Sequence, residues 1–155
     1  MPYITLRDGA QLYYKDQSPK DGPVFFFSHG RPLNSDDWEN QMFFLANHGC
    51  RVVARDRRGH RRSEQTWEGN DVDSWTDDIQ ELVEKLDLKG MVVVGCSTGG
   101  SELVRYCARR EFQILCMQPR SVSKTDISTQ TEPYALTRLC SLAAMCRASS
   151  RPTRI

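Results

Sequence analysis

A serine between glycines is the feature of this sequence best suited to chemistry. Residues 95–100 read Gly-Cys-Ser-Thr-Gly-Gly and follow the apolar run 91–94. When a buried strand enters a G-x-S-x-G pattern and a helix leaves it, the turn is a nucleophile elbow that exposes the serine hydroxyl. Side chains would clash where the chain reverses direction, so glycines flank the serine. We predict that Ser97 is a catalytic nucleophile at a helix N-terminus. The glycines of this turn are Gly95, Gly99 and Gly100.

The histidines of the sequence are poorly placed to activate this serine. A serine hydroxyl is a weak nucleophile without a general base beside it, and in elbow enzymes an acid and then a histidine follow the serine. His29, His48 and His60 all precede Ser97. We interpret His29 and His60 as structural hydrogen-bonding residues, with a role as base the less favoured alternative. His48 fits a solvent-facing position or a helix C-terminus. The sequence therefore lacks the expected catalytic histidine.

Other candidate groups have ordinary interpretations. Asp126 and Glu132 are the acids that follow Glu111, and with no histidine to orient, each is predicted to be a solvated charge. The catalytic acid is then absent as well. Cys96 is interpreted as a packed thiol rather than a second nucleophile.

Short apolar segments predict the strands that position the elbow. A hairpin turn at Asp8-Gly9 separates the first two. The third is apolar without alternation, which predicts burial on both faces, as in a parallel sheet covered by helices. The predicted strands are 3–6, 11–15, 24–27, 51–55 and 91–95.

Three helices are predicted between and after these strands. The first is capped by Ser35 and ends near Gly49. The second begins at Ser74, with Asp77 completing a capping box, and the third leaves the elbow and runs to about Arg110. This alternation of strands and helices predicts an α/β fold with a right-handed, mostly parallel, doubly wound sheet.

Charge is nearly balanced overall but locally segregated. The 155 residues carry a net charge of +1, which gives no whole-protein reason to expect nucleic acid or an anionic membrane as a partner. Residues 51–62 contain six arginines and one acid, whereas residues 64–87 contain nine acids and one base. We interpret this pattern as a basic loop beside an acidic helix, with an interaction module as the weaker alternative.

The cysteines and apolar segments bear on compartment. The chain has six cysteines and no N-terminal apolar segment of the secretory type, which predicts free thiols in a reducing, cytoplasmic compartment. No stretch is long enough to predict a membrane span. The cysteine spacings match no metal-binding pattern, so no metal is expected.

Composition changes after the third helix. All ten glycines lie at or before Gly100, and eleven of the last 45 residues are Ser or Thr. We predict a partial α/β domain over residues 1–110 and an atypical, Gly-free, Ser/Thr/Arg-rich, weakly ordered tail over 111–155. A strand at 114–117 and a short helix at 134–145 are the elements that the tail suggests.

Four motifs together resemble a known family. The segments 29–34, 36–38, 56–60 and 97–100 appear in the order and spacing of the cofactor-free non-heme chloroperoxidases, which are perhydrolases and esterases within the α/β-hydrolases. The resemblance covers about residues 1–110. It implies the N-terminal portion of an α/β-hydrolase sheet, truncated after the elbow helix.

The resemblance also implies a mechanism and its residues. Ser97 would attack an ester carbonyl, and water or hydrogen peroxide would resolve the acyl-enzyme, with small acyl esters as substrates and no cofactor. The oxyanion hole would consist of the backbone N–H groups of Thr98 and Arg31, the latter within the His29-Gly30 motif. Pro32 has no N–H to donate.

The sequence departs from the family pattern at three positions. Arg31 stands where the family usually has an aromatic residue, which places a cation at the acyl pocket. Arg61 replaces a glycine in a loop that requires positive φ in the family pattern. Cys96 replaces the histidine that usually precedes the serine.

Two hypotheses follow from these features. In the first, the chain is a serine esterase or perhydrolase that uses Ser97 and is inactive as these 155 residues. In the second, it is a non-catalytic truncated or frameshifted remnant of such an enzyme. In both, the elbow strand is expected to lie at an open sheet edge, which a partner chain would complete or which would favour aggregation.

Overall fold

The computed structural model of the chain describes residues 2–17 and 19–109. Five strands form one mixed sheet within these residues, in the order β1-β2-β4-β3-β5. The predicted strands and their hairpin are confirmed, with small differences at the ends. The strands are β1 (Tyr3–Thr5), β2 (Gln11–Gln17), β3 (Val24–Ser28), β4 (Arg51–Arg55) and β5 (Val92–Gly95).

The centre of the sheet is parallel. Strand β3 lies between β4 and β5 and runs parallel to both, with Phe26 opposite Val53 on one side and Val93 on the other. Strands β1 and β2 extend the sheet as an antiparallel hairpin that pairs with β4. The sheet is therefore mostly parallel, as predicted, and β5 is its outer strand among the described residues.

Helices cover both faces of this sheet. They are α1 (Glu39–Asn47), α2 (Val72–Lys85) and α3 (Thr98–Arg109). Phe26 packs in one core cluster with Ile79 of α2 and Leu103 of α3. Its neighbour Phe27 points to the opposite face because side chains alternate along a strand, and there its ring lies 5.0 Å from that of Trp38 at the start of α1.

Both predicted helix caps are wrong by a few residues. A short 3₁₀ helix (Ser35–Trp38) precedes α1, and Asn34, rather than Ser35, caps it in a capping box with Asp37. Helix α2 begins at Val72 with Asp71 as its cap. Ser74 does not cap it, because its hydroxyl donates instead to the Asp71 carboxylate at 2.7 Å.

The predictions for the C-terminal part of the chain lie outside the described residues. These are the tail 111–155, the strand at 114–117, the helix at 134–145 and the solvated acids Asp126 and Glu132. Helix α3 is described to Arg109, close to the predicted end.

Candidate active site

The turn at Ser97 has the geometry of a nucleophile elbow. Ser97 lies between β5 and α3, directly before the helix, and adopts a φ of 51°. Non-glycine residues rarely occupy this left-handed conformation, which is enriched at functional sites. Its side chain is exposed. Helix α3 starts immediately, since the N–H of Gly100 donates to the Ser97 carbonyl at 2.9 Å. The elbow therefore presents a hydroxyl to solvent at a helix N-terminus.

Two of the predicted glycines are required because neighbouring backbone atoms leave no space for a side chain. A Cβ on Gly95 would lie 2.7 Å from the backbone nitrogen of Gly100, and a Cβ on Gly99 would lie 2.4 Å from the carbonyl oxygen of Ser28. Gly100 is different, because a Cβ there would make only an ordinary contact, 3.9 Å from the Gly95 oxygen. The tight turn thus explains Gly95 and Gly99 but not Gly100.

The loop after β3 lies directly against the elbow. The N–H of Cys96 donates to the Ser28 carbonyl at 3.2 Å, and a Cβ on Gly30 would lie 3.2 Å from the Cβ of Ser97. Glycine at position 30 allows this approach. We call residues 28–31 the oxyanion loop, because it contains Arg31, a predicted oxyanion donor, and approaches Ser97 at Gly30.

The two backbone donors predicted for the oxyanion hole have no acceptor among residues 2–17 and 19–109. The N–H groups of Arg31 and Thr98 make no hydrogen bond among the described residues. They belong to the loop and the helix that meet at Ser97, where oxyanion donors of a serine enzyme lie. The peptide bond that follows Arg31, to Pro32, is cis. The structure thus places Arg31 and Thr98 on the two elements that meet at Ser97, and their role as oxyanion donors stays a prediction.

A buried ion cluster, which the sequence analysis missed, joins the oxyanion loop to the elbow helix. The Arg57 guanidinium donates to Glu102 of α3 at 3.0 Å, to the Thr98 hydroxyl at 3.1 Å and to the His29 carbonyl at 2.8 Å. Arg55 lies 3.1 Å from the same carboxylate, which also accepts from the Ser28 hydroxyl. The side chains of Arg55, Arg57 and Glu102 are fully buried.

His29 is a structural residue of this cluster. Its Nε2 accepts the backbone N–H of Arg57 at 2.8 Å, and its Nδ1 lies 2.8 Å from the Gly30 carbonyl, so the proton is on Nδ1. Burial, together with the charges of Arg55 and Arg57, lowers the pKa of His29 to about 4. A neutral ring with both nitrogens occupied cannot accept the proton of Ser97.

The remaining histidines also have structural contacts. His60 lies 3.0 Å from the Arg58 carbonyl through Nδ1, and its ring centre is 5.2 Å from that of His29. His48 follows α1, is exposed, and lies 2.7 Å from the Phe44 carbonyl through Nδ1. The latter position matches the predicted helix C-terminus.

Most arginines of the basic segment are paired within the fold. Arg58 pairs with Asp78 at 2.7 Å, and Arg62 pairs with the buried Asp56 at 2.7 Å. Burial acts to raise the pKa of Asp56, but hydrogen bonds from Arg62 and Ser35 hold it below its ordinary value. Arg61 adopts a φ of 47°, so the loop does require positive φ at that position.

The described residues form neither a metal-ligand group nor a membrane-spanning helix. Among residues 2–17 and 19–109, no three His, Cys, Asp or Glu side chains are grouped as metal ligands. In the same part of the chain, no helix has the length and apolar character needed to cross a bilayer.

The fold and the elbow define an α/β hydrolase, and the chain belongs to that family. The family model described as alpha/beta hydrolase fold matches residues 23–125. The chain is 54% identical over 109 residues to a bifunctional esterase/perhydrolase of Acinetobacter calcoaceticus. The aligned region covers 70% of this chain and 40% of the relative. It is 51% identical over 111 residues to a non-heme chloroperoxidase of Streptomyces lividans, covering 72% of this chain and 40% of the relative. The predicted family resemblance is confirmed.

Solved structures show the same partial match. A bromoperoxidase from Bacillus anthracis superposes with a TM-score of 0.61 at 40% identity, over 63% of this chain and 35% of that chain. An esterase from Exiguobacterium antarcticum superposes with a TM-score of 0.66 at 29% identity, over 70% of this chain and 40% of that chain. The chain spans about two fifths of the length of the relatives it matches.

Proposed function

We propose that this chain carries the nucleophile and the oxyanion donors of a serine esterase or perhydrolase that acts on small acyl esters. The observation that supports the proposal most strongly is the junction of the two elements at Ser97. An exposed hydroxyl at a strained elbow lies beside two backbone N–H groups, of Arg31 and Thr98, that have no acceptor among the described residues. Relatives with the names esterase/perhydrolase and chloroperoxidase support the reaction class.

The proposed reaction follows from these positions. The Ser97 oxygen adds to the ester carbonyl carbon, and the resulting oxyanion accepts hydrogen bonds from the two N–H groups. Loss of the alcohol leaves an acyl-Ser97, and water or hydrogen peroxide then releases an acid or a peracid. Each such donor contributes about 3–4 kcal/mol to stabilisation of the transition state.

We propose further that these 155 residues alone do not turn over an ester. Both ring nitrogens of His29 are occupied by backbone groups. His48 lies at the end of α1, far from Ser97 in the sequence, and contacts the Phe44 carbonyl of that helix. A base and an acid from another source would be needed. A non-catalytic role is the alternative that this same observation favours.

The test uses imidazole to replace the missing base. With 4-nitrophenyl acetate, the chain alone should show no hydrolysis that depends on Ser97. Added imidazole should acetylate Ser97, measured by mass spectrometry of its peptide, and Ser97→Ala should abolish that label. The Cys96→Ala variant is the control, since a thiol ester at the neighbouring residue would otherwise be mistaken for the serine ester.

Three outcomes separate the proposals. Hydrolysis that depends on Ser97 without imidazole would overturn the inactivity of the chain and retain the nucleophile. No acetyl-Ser97 at any imidazole concentration would overturn the nucleophile and favour the non-catalytic alternative. Formation of peracetic acid when hydrogen peroxide replaces water would support a perhydrolase, whereas acetate alone would support an esterase.

Partners and compartment are part of the proposal. The outer edge of β5 is unpaired among the described strands, and we propose that a further strand, from a second chain or from elsewhere in this one, covers it. Cys96 and Cys107 are free thiols, which agrees with a reducing, cytoplasmic compartment, but Cys96 is exposed and its interpretation as a packed thiol is wrong. Size-exclusion chromatography of the purified chain, with and without reductant, would test both statements.

A further inference from the structure

A cavity without acidic residues opens beside the oxyanion loop. It has a volume of about 340 Å³, and its lining includes Arg31, His60, Trp67 and Trp75 together with neutral residues of the loop after β4. A second cleft, of about 540 Å³ around Arg58, has the opposite character, because five carboxylates line it. The cavity at Arg31 therefore has a positive charge and no counter-charge in its own wall.

The Arg31 guanidinium has no carboxylate partner in the part of the chain that the structure describes. Arg31 and Arg61 are the two arginines without a carboxylate partner among the described residues, whereas Arg57, Arg58 and Arg62 are all paired. Arg61 does not line the cavity. Arg31 thus differs from its neighbours in combining an unpaired guanidinium with a position in a cavity wall.

One buried donor of a lining residue also has no acceptor. The indole N–H of Trp75 is buried and makes no hydrogen bond among the described residues. A buried donor without an acceptor is costly, and such a group is explained when a ligand or water satisfies it. The Nδ1 of His60 contacts the Arg58 carbonyl and therefore donates, which leaves Nε2 as the acceptor of that ring. The Arg31 guanidinium is the group of this wall that an oxygen anion would meet, because the Trp75 N–H is not accessible from the cavity.

The surroundings add positive charge and apolar surface. The Arg57 guanidinium lies 4.4 Å from the centre of the Trp75 ring. Burial, and more weakly the charges of Arg55 and Arg31, lower the pKa of Arg57 against the opposing effect of Glu102. The Trp75 indole supplies an apolar wall suited to a short methylene chain, while the Trp67 indole at the rim is fully exposed. A planar, bidentate oxygen anion is the ligand that a guanidinium prefers.

We propose that this cavity binds a carboxylate and that the ester attacked by Ser97 carries one at the far end of its acyl chain. A half ester of a short dicarboxylic acid has this form. Arg31 connects the two places, because its backbone N–H lies at the elbow and its side chain lines the cavity. The second part of the proposal rests on the proposed function. Hydrolysis would convert the half ester and water into a dicarboxylic acid and an alcohol.

The first experiment labels arginines with phenylglyoxal and identifies them by peptide mass spectrometry. Unpaired guanidinium groups react fastest, so Arg31 and Arg61 should both be labelled in the full chain. Monomethyl glutarate at ten times its Kd should slow the labelling of Arg31 about tenfold, by mass action, and leave Arg61 unchanged. Dimethyl glutarate, which has the same chain without a charge, should protect neither.

A second measurement reports the other side of the cavity. The chain has three tryptophans, so the ¹⁵N–¹H spectrum contains three indole signals, assigned by substitution with phenylalanine. Monomethyl glutarate should shift the Trp75 signal saturably, and Arg31→Gln should weaken that binding about tenfold or more. Arg61→Gln removes the same charge from an exposed position outside the cavity and should leave the binding unchanged.

Results of three kinds would overturn carboxylate binding. These are equal protection by dimethyl glutarate, equal protection by sodium chloride at the same ionic strength, and an unchanged Kd in Arg31→Gln. Ser97→Ala should bind monomethyl glutarate normally, so failure of the nucleophile proposal would leave this measurement unaffected.

The link to the substrate has its own measurement. In the presence of imidazole, mono-4-nitrophenyl glutarate should acylate Ser97 faster than 4-nitrophenyl butyrate. Arg31→Gln should lower the ratio of the two rates about tenfold, whereas Arg61→Gln should not. A ratio that is the same in all three proteins would overturn the assignment of a carboxylate-bearing ester.

Discussion

Two sets of ion pairs connect helix α3 to the rest of the fold, and they differ in burial rather than in distance. In the inner set, Glu102 pairs with Arg55 at 3.1 Å and Arg57 at 3.0 Å, and all three side chains are fully buried. In the outer set, Asp73 of α2 pairs with Arg105 at 2.8 Å and Arg109 at 2.6 Å. Roughly half of the Asp73 side chain is exposed to solvent.

Ion pairs of similar length in the two sets differ in what their loss does to stability. A buried pair has lost its hydration, so removal of one partner leaves an uncompensated charge in the interior. An exposed pair loses little when it separates, because water replaces the partner. The inner set also contacts Thr98 and the His29 carbonyl, and it therefore connects both sides of the elbow. The outer set contacts only helix surfaces.

The largest expected effect comes from Glu102→Gln. This change keeps the shape of the side chain but leaves the Arg55 and Arg57 cations without a counter-charge. We expect the free energy of unfolding to fall by about 3–5 kcal/mol, measured by urea denaturation followed by circular dichroism. A decrease below about 1 kcal/mol would contradict the difference between the two sets.

The next largest effect is a dependence of the free energy of unfolding on pH, caused by the neutral ring of His29 beside the inner set. In the unfolded chain His29 protonates near pH 6.5, whereas in the fold its pKa is about 4. The unfolded state therefore binds more protons between these values, so this contribution is present above pH 6.5 and is lost as the pH falls towards 4. It amounts to about 3 kcal/mol.

A matched variant isolates this contribution. In His29→Gln an amide oxygen can accept the Arg57 N–H in place of Nε2, and the side chain does not titrate. Urea denaturation at several pH values should show a smaller decrease in stability from pH 6.5 to 4 in the variant than in the original chain. Equal slopes in the two proteins would show that His29 does not carry the pH dependence.

The smallest effect is expected for Asp73→Asn in the outer set. This substitution makes the same change, from carboxylate to amide, that Glu102→Gln makes in the inner set. Because Asp73 is exposed, we expect almost no change in the urea midpoint, and any change should vanish in 1 M sodium chloride, where exposed charges are screened. A loss comparable to that of Glu102→Gln would show that burial does not distinguish the sets.

Local chemistry in the sequence predicted the elbow, while longer-range partners were beyond it. Gly95 and Gly99 beside Ser97 follow from steric rules that act over a few residues, whereas the positive φ at Arg61 was expected from the family resemblance. Glu102 was missed because an acidic residue on a helix is usually exposed to solvent. Its partners also lie more than forty positions earlier in the sequence, on β4 and in the loop after it. Only the parallel pairing of β3 with β4 and β5 brings them together.

The helix caps failed for a related reason. Asp71 and Ser74 are both residues that cap helices well, and they compete within one turn. The carboxylate accepts from the backbone N–H groups of both Asp73 and Ser74, which occupies the role that the hydroxyl would have had. Sequence alone does not rank two adequate caps three residues apart.

The pairing of Ser28 with Gly95 across two parallel strands has a consequence for how substrates can change. Neighbouring strands lie about 4.8 Å apart in every sheet, and the oxyanion loop leaves one strand where the elbow leaves the next. The spacing between the two elements that meet at Ser97 is then set by a repeat distance of the backbone. A side chain such as that at position 31 can differ without changing this spacing, because the sheet and not the side chain fixes it.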